Sequence, residues 1–519
     1  MDIRSRASHG LIVLLVLLLS PAARKPAPEH LVSTPSFGSP VLSEEGLASS
    51  RFPEDRARPE DDARGMPTPV ATNYVAPIPQ WLHCSPAPCV LPNVGVSAGP
   101  KPVNETTIVV NPANPKQLLS SANDVNCSAN AQGLYTSNDG GNTWLRACMG
   151  NMAGAYGGGD PGAGYDLQGN AYVTGLEYGN VNGVVFEKSS DNGKTWSAPS
   201  VAATSLSGLF VDKDWLHIDT NPESPYASAL YVSVTQYDSS GDTLISVSHS
   251  NDGGANWTTV AVEPYQPYPI TDSESYLASG PDGTVYLAWL RCKANPANNG
   301  CGGENSTIEF SKSSDGGTTW TTPVAIVHTR EAPYIKCKSG NFGGFFGVLP
   351  NTCDRVGNTP RIAVDNSSGE YKGNLYLTYY GWTGKFLKLL VATSTDGGTT
   401  WKSKAVTPAR DTHDQFFPWV SVSSKGIVGV SWLDRRDDPA NTNYEAFAAF
   451  SQNGGASFGK NIKLSAQPSN PFNDGWGLGL HFMGDYTGNA WSPNGKTFYV
   501  TYTDTTTNVD QDFLTGIQF

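Results

Sequence analysis

Short strand-length runs, each closed by a polar turn, recur along most of this chain. Residues 215–219, 229–234 and 244–248 are typical, rich in β-branched and aromatic residues and bounded by Gly, Asn, Asp or Ser. Such runs read as strands. Their order is fixed: an inner strand, a second, a third that enters a turn, and an outer strand after it. Inner strands are expected to start near Thr107, Gly162, Trp215, Tyr276, Arg361, Trp419 and Thr487, which makes seven units.

The turn after the third strand is itself a repeat. It reads Ser137, Asp139, Gly141, Trp144, and returns at Ser189, Asp191, Gly193, Trp196 and at Ser250, Asp252, Gly254, Trp257. Further copies are Ser313, Asp315, Gly317, Trp320 and Ser394, Asp396, Gly398, Trp401, with a worn sixth at Ser451, Asn453, Gly455, Phe458. The steps between copies are 52, 61, 63, 81 and 57 residues. A period of this length with strands between copies points to propeller blades or a solenoid. In each copy Asp is expected to bind loop amides, Gly to supply positive φ, and Trp to open the next strand. These aspartates are therefore read as structural.

This turn is the Asp-box, or BNR repeat. The chain resembles secreted Asp-box β-propeller proteins of the sialidase superfamily over about residues 100–519. The resemblance implies an all-β propeller of four-stranded blades. The unit count favours seven blades, with six, the sialidase number, as the alternative. The seventh unit lacks the turn and an outer strand, and residues 94–98 are the expected donor of that strand.

Composition agrees with strands and turns, with 55 Gly, 37 Pro, 13 Trp, 22 Tyr and 19 Phe in 519 residues. The net charge of −13 argues against nucleic acid or an anionic membrane as partner. Two segments fall outside the pattern. Residues 1–23 read as a signal peptide: Arg4 and Arg6, then nine apolar residues at 11–19, then Ser20, Pro21, Ala22 and Ala23. Residues 24–75 hold many Pro, Glu, Arg and Ser and read as a disordered leader, leaving 76–519 for the propeller. The expectation is a monomeric protein, secreted or periplasmic, with no membrane span.

Eight cysteines support export. They fall as Cys84/Cys89, Cys127/Cys148, Cys292/Cys301 and Cys337/Cys353. Eight allow 105 pairings. Nearest-neighbour disulfides are the expectation, and free buried thiols the alternative. No metal-ligand spacing of the CxxC or HExxH kind occurs.

By this topology the repeated turns share one face, and inner-strand starts lie on the other, here called upper. Propellers of the sialidase superfamily place their active sites there. Glu105, Asp160, Asp214, Glu274 and Asp485 are expected at its channel mouth. A carboxylate pair, one protonated and one ionised, would serve glycosidic hydrolysis. Asp160, Asp214, Glu274 and Asp485 are thus acid, base or nucleophile candidates. The resemblance adds Tyr486, since sialidases pair a Tyr nucleophile with a Glu. Sialidases also clamp a carboxylate with three arginines; Arg291, Arg361 and Arg435 are the nominees, though the family's early Arg-Ile-Pro motif is absent. Trp215, Trp419 and Tyr486 would stack on sugar rings. The function expected is glycan hydrolysis at the upper face; the alternative is a non-catalytic propeller docking a polysaccharide or protein. No cofactor is expected to be required, and a structural Ca²⁺ is the other role for the acidic ring.

Overall fold

A computed structural model describes residues 68–69 and 88–519, apart from 128–129, 296–299, 336, 338–345 and 477–480. The expected signal peptide 1–23, nearly all of the expected leader 24–75, and Cys84 lie outside the described residues.

Seven antiparallel sheets follow one another along the chain. In blade 1, Val103–Asn104 and Val109–Val110 both pair with Leu118–Asp124, followed by Gln132–Ser137 and Leu145–Cys148. Blade 2 comprises Ala155–Tyr165, Ala171–Gly179, Gly183–Ser189 and Ser200–Thr204. Blade 3 comprises Phe210–Ile218, Leu230–Tyr237, Thr243–Ser250 and Thr258–Ala261, and blade 4 Ile270–Ser279, Val285–Lys293, Asn305–Ser313 and Val324–Arg330. Blade 5 is Arg361–Val364, Leu375–Trp382, Leu387–Ser394 and Lys402–Ala405. Blade 6 is Gln415–Val422, Val428–Asp434, Glu445–Ser451 and Ile462–Lys463. Blade 7 has Gly488–Trp491, Thr497–Asp504 and Gln511–Gln518, and takes its outer edge from Cys89–Val90 and Val94–Gly95. Each inner strand packs on the next, and Gly488–Trp491 returns to Val109–Val110. The ring is closed. This is a seven-bladed β-propeller.

Each blade is packed between two neighbours and must bury both faces, so apolar side chains of adjacent blades interdigitate. Leu277, Leu287 and Trp289 of blade 4, for instance, pack on Tyr231, Ile245 and Val247 of blade 3. Each such fully buried side chain contributes roughly 1.5–3 kcal/mol.

The repeated turns form the lower face. Ser137 Oγ donates to Asp139 Oδ1 at 2.8 Å, the Thr143 amide donates to the same oxygen at 2.9 Å, and Trp144 Nε1 donates to the Gly141 carbonyl at 3.1 Å. Gly141 has φ 91°, and a Cβ there would lie 2.3 Å from Leu514 of blade 7. Glycine is thus required both by the turn and by the neighbouring blade. Asn453 takes the Asp role in the sixth copy, accepting from Ser451 Oγ at 2.9 Å. Outer strands begin one residue after Trp144, Trp257 and Trp401, and four after Trp196, Trp320 and Phe458, not at the aromatic itself.

Disulfides join Cys127 to Cys148, Cys292 to Cys301 and Cys337 to Cys353. Cys89 is also disulfide-bonded. Within the long insertion after blade 4, Gly347–Val348 and Arg355–Val356 form a small ribbon. No helix among the described residues is long and apolar enough to cross a membrane.

Candidate functional site

The inner strands of blades 2, 3, 4 and 6 start earlier than the apolar pattern suggests, because a bulge interrupts each of them. Pairing breaks between Asp212 and Trp215, Ser273 and Tyr276, and Phe416 and Trp419. The first bulge residue has positive φ: 54° at Glu105, 57° at Asp160, 55° at Lys213, 59° at Glu274, 49° at Phe417 and 89° at Gly484. Left-handed backbone at non-glycine positions is uncommon, and its repetition around a ring marks a built feature. Six triplets align on it, and Thr359–Arg361 takes the same place in blade 5 without a left-handed residue. Their third members are Thr107, Gly162, Trp215, Tyr276, Arg361, Trp419 and Tyr486.

That third tier plugs the channel. The Arg361 guanidinium carbon lies 4.5 Å from the Trp419 ring centre and 4.8 Å from those of Trp215, Tyr276 and Tyr486. The rings also touch one another, with Trp215 and Trp419 at 5.0 Å. Arg361 is 2% exposed and its Nε has no hydrogen-bond partner. Burial lowers its pKa from the ordinary arginine value. Below this cage the channel widens to a cavity of about 300 Å³, with His217, Ser279 and Asn489 among its lining.

Above the cage lies the charged tier. Lys213 Nζ bonds Asp485 and stands 3.6 Å from Asp160 Oδ1 and 3.7 Å from Glu105 Oε1. The Lys213 amide donates to Asp160 Oδ2 at 3.0 Å, and the Asp485 amide to Glu105 Oε1 at 3.0 Å. Arg355, carried by the ribbon, caps Asp485: Nε donates to Oδ1 at 2.8 Å and Nη2 bonds Oδ2. Burial pushes Asp485 upward, but Arg355 and Lys213 outweigh it and hold the carboxyl well below the usual range. Glu274 behaves oppositely. Burial raises it to about 7, and its Oε1 has no hydrogen-bond partner. Asp214 is raised by burial and then by Asp160. Tyr486 is raised by burial and by Glu105 and Asp160.

Asp212, half-buried where the others are sealed, is raised by burial and by Asp160. It shares a strand face with Phe210, two residues earlier. Phe210 belongs to an aromatic ladder on the upper rim: Tyr156 to Tyr178 at 6.1 Å, Tyr178 to Phe210 at 5.5 Å, and Phe210 to Tyr237 at 5.0 Å. Tyr156 is exposed.

The structure thus gathers Asp160, Asp214, Glu274 and Asp485 at one mouth, and Tyr486, Trp215, Trp419 and Arg361 in the plug beneath. The other two nominated arginines lie elsewhere. Arg291 bonds Glu263 and, at 2.6 Å, Asp272. Arg435 meets Asp354 at 3.4 Å and Asp414 at 3.8 Å. Sequence reasoning missed Lys213, Asp212, Arg355 and the ladder. Aligning the triplets would have found Lys213, which occupies the Glu105 position in blade 3; nothing in the local sequence marks Arg355. Among the described residues no group of three or more His, Cys, Asp or Glu is arranged to hold a metal ion.

The fold and this channel define the molecule as a seven-bladed propeller with a charged, capped mouth. No family model matches the chain, and no curated protein matches it. Among solved structures it is similar to a point mutant of the α-L-arabinofuranosidase Arb93A from Fusarium graminearum, at 13% identity and TM-score 0.42, covering 69% of this chain and 92% of that one. It is similar to the α-L-arabinanase of Penicillium chrysogenum, at 12% identity and TM-score 0.44, with the same two coverages of 69% and 92%. The intramolecular trans-sialidase of Ruminococcus gnavus matches at 13% identity and TM-score 0.42, over 64% of this chain and 90% of that one. The fold assignment rests on the strand order given above.

Proposed function

We propose that this is an exported, carbohydrate-active propeller that hydrolyses glycosidic bonds at the upper mouth of its channel. One observation carries the reading: a half-buried carboxyl pushed toward its protonated form, Asp212, stands beside other carboxylates on the strand face of an aromatic ladder. Glycoside hydrolysis needs a proton donor, a second carboxylate and a surface for the sugar. Asp212 is the donor. Asp160, 3.6 Å from the Lys213 ammonium, is the second carboxylate, and after burial its like charge keeps the proton on Asp212. Phe210, Tyr237 and Tyr156 offer ring faces to the sugar. Asp485 positions Lys213 and Arg355. Three disulfides support an extracellular or periplasmic site of action.

A hydrolysis assay over a panel of neutral and acidic glycans tests the reading. Asp212→Asn and Asp160→Asn are expected to lower turnover at least about 100-fold with folding intact, while Phe210→Ala weakens substrate binding. Full activity in both carboxylate variants would overturn the assignment. Glycan binding that Phe210→Ala weakens, without turnover by the native protein, would instead identify a binding propeller.

A further inference from the structure

Blade 4 carries a second concavity, of about 640 Å³, at the upper end of one sheet face, lined by Arg291, Lys293, Asn305, Thr307, His328 and Arg330. Strand register explains why these side chains converge. Thr307 pairs with both Arg291 and His328, and Asn305 pairs with Arg330. Lys293 follows Arg291 by two residues, so both point from the same face. With strands about 4.8 Å apart, Lys293 and Arg330 flank Asn305 at a separation of roughly 10 Å, and the Arg291 row lies roughly 7 Å below.

Charge is distributed unevenly over this patch. Arg291 is neutralised by Glu263 and Asp272, with Glu309 3.9 Å away. Among the described residues Lys293 and Arg330 have no carboxylate partner; Arg330 Nε donates only to the Gly303 carbonyl, at 3.3 Å. Both are exposed, as is His328. Set against the three carboxylates around Arg291, Lys293 and Arg330 bring the patch back to neutrality, and in a chain of net charge −13 they and an exposed imidazole make its outer rim positive. Lys293 and Arg330 are too far apart for one small anion to bridge. Between them stand the neutral amide of Asn305, a partner for sugar hydroxyls, and the hydroxyl of Thr307, which donates to Glu309 at 2.6 Å and can still accept from one.

We propose that this groove is a second ligand site, binding the sulfate or carboxylate groups of an acidic polysaccharide strand. Its existence does not depend on hydrolysis at the channel mouth. The overall negative charge opposes densely charged nucleic acid and favours a chain whose anions are spaced by hydroxyl-bearing rings.

Binding of fluorescent dextran sulfate, oligogalacturonate, neutral dextran and single-stranded DNA to the disulfide-bonded protein, made in a host that does not glycosylate Asn305, tests this. At 50 mM salt the native protein should bind one or both acidic glycans and neither dextran nor DNA; the arm that binds tells sulfate from carboxylate. The pair Lys293→Ala and Arg330→Ala should weaken that binding at least tenfold and flatten its salt dependence. The control pair Lys402→Ala and Lys460→Ala, exposed on other blades, should leave it unchanged. No binding to either acidic glycan, equal loss in both double variants, unchanged binding in the first, or preference for DNA would each overturn the proposal. Turnover of the glycan panel is measured separately from this binding, so the two readings can fail separately.

Discussion

The Arg361 guanidinium lies 4.5 Å from the centre of the Trp419 ring, on the axis where the blades converge. Three more rings complete the enclosure, so a permanent charge is held at the middle of the fold by π faces. Arg361→Ala should remove these contacts and leave a void, costing about 3–5 kcal/mol. Arg361→Lys keeps the charge but loses the planar fork and should cost less. Urea denaturation checks both, and an unchanged midpoint for the alanine variant would mean that the cage does not support the ring.

Asp485→Asn should be as damaging for a different reason. It leaves Lys213 and Arg355 buried without their shared anion, and breaking such a pair costs about 3–5 kcal/mol. Because the folded carboxyl is held below its unfolded value, its contribution is complete above about pH 4 and is lost as the pH falls through the folded value. The variant should therefore lack part of the acid-unfolding transition of the native protein. Folded fraction against pH, followed by tryptophan fluorescence, reads this directly.

Asp512 and Glu331 predict a trend of opposite sign. Burial raises Asp512 to about 8 and Glu331 to about 7, against which Ser120 Oγ donates to Asp512 Oδ2 at 2.7 Å. Both states are protonated below about pH 4, where these groups cost no stability. As the pH rises the unfolded chain releases its protons first, so stability falls up to about pH 8 and then levels. Asp512→Asn should flatten much of that decline. Denaturation midpoints at pH 5 and pH 8.5 give the comparison, and parallel losses in both proteins would contradict it.

The repeated turns should matter for stability alone. Asp315 accepts from Thr319 Oγ1 at 2.6 Å, from the Thr319 amide at 2.9 Å and from Ser313 Oγ at 2.8 Å, and these bonds hold its pKa at about 2. Asp315→Ala is expected to lower Tm by roughly 2–4 °C, with glycan binding and turnover unchanged. A loss of turnover greater than the loss of fold would give this aspartate a role at the site.

Local rules made the blades legible, and tertiary proximity hid much of the mouth. Period-two patterning and the Ser-x-Asp-x-Gly turn report bonds within a few residues, so they marked the strands and their order. The bulges did not show, since Lys213 and Phe417 carry no sign that their backbone is left-handed. Aligning inner strands on polar residues put Asp160 and Glu274, first in their triplets, on one level with Asp214 and Asp485, which are second. That one-residue difference hid Lys213. Arg355 reaches Asp485 across 130 residues from an insertion outside the repeat, and no periodicity carries such a partner. Asp212 escaped notice because its exposure depends on where the bulge falls.

Blade 7 has a temporal consequence. Ser97 Oγ donates to Gln511 Oε1, partners 414 residues apart, and the Val96 amide donates to the Asp512 carbonyl. During synthesis the strand at Val94–Gly95 emerges before any blade and waits, unmatched, while six are made. Until residues 511–518 follow, the fold is an arc with two raw edges, open to misplaced pairing. Closure is therefore the last pairing that the order of synthesis permits.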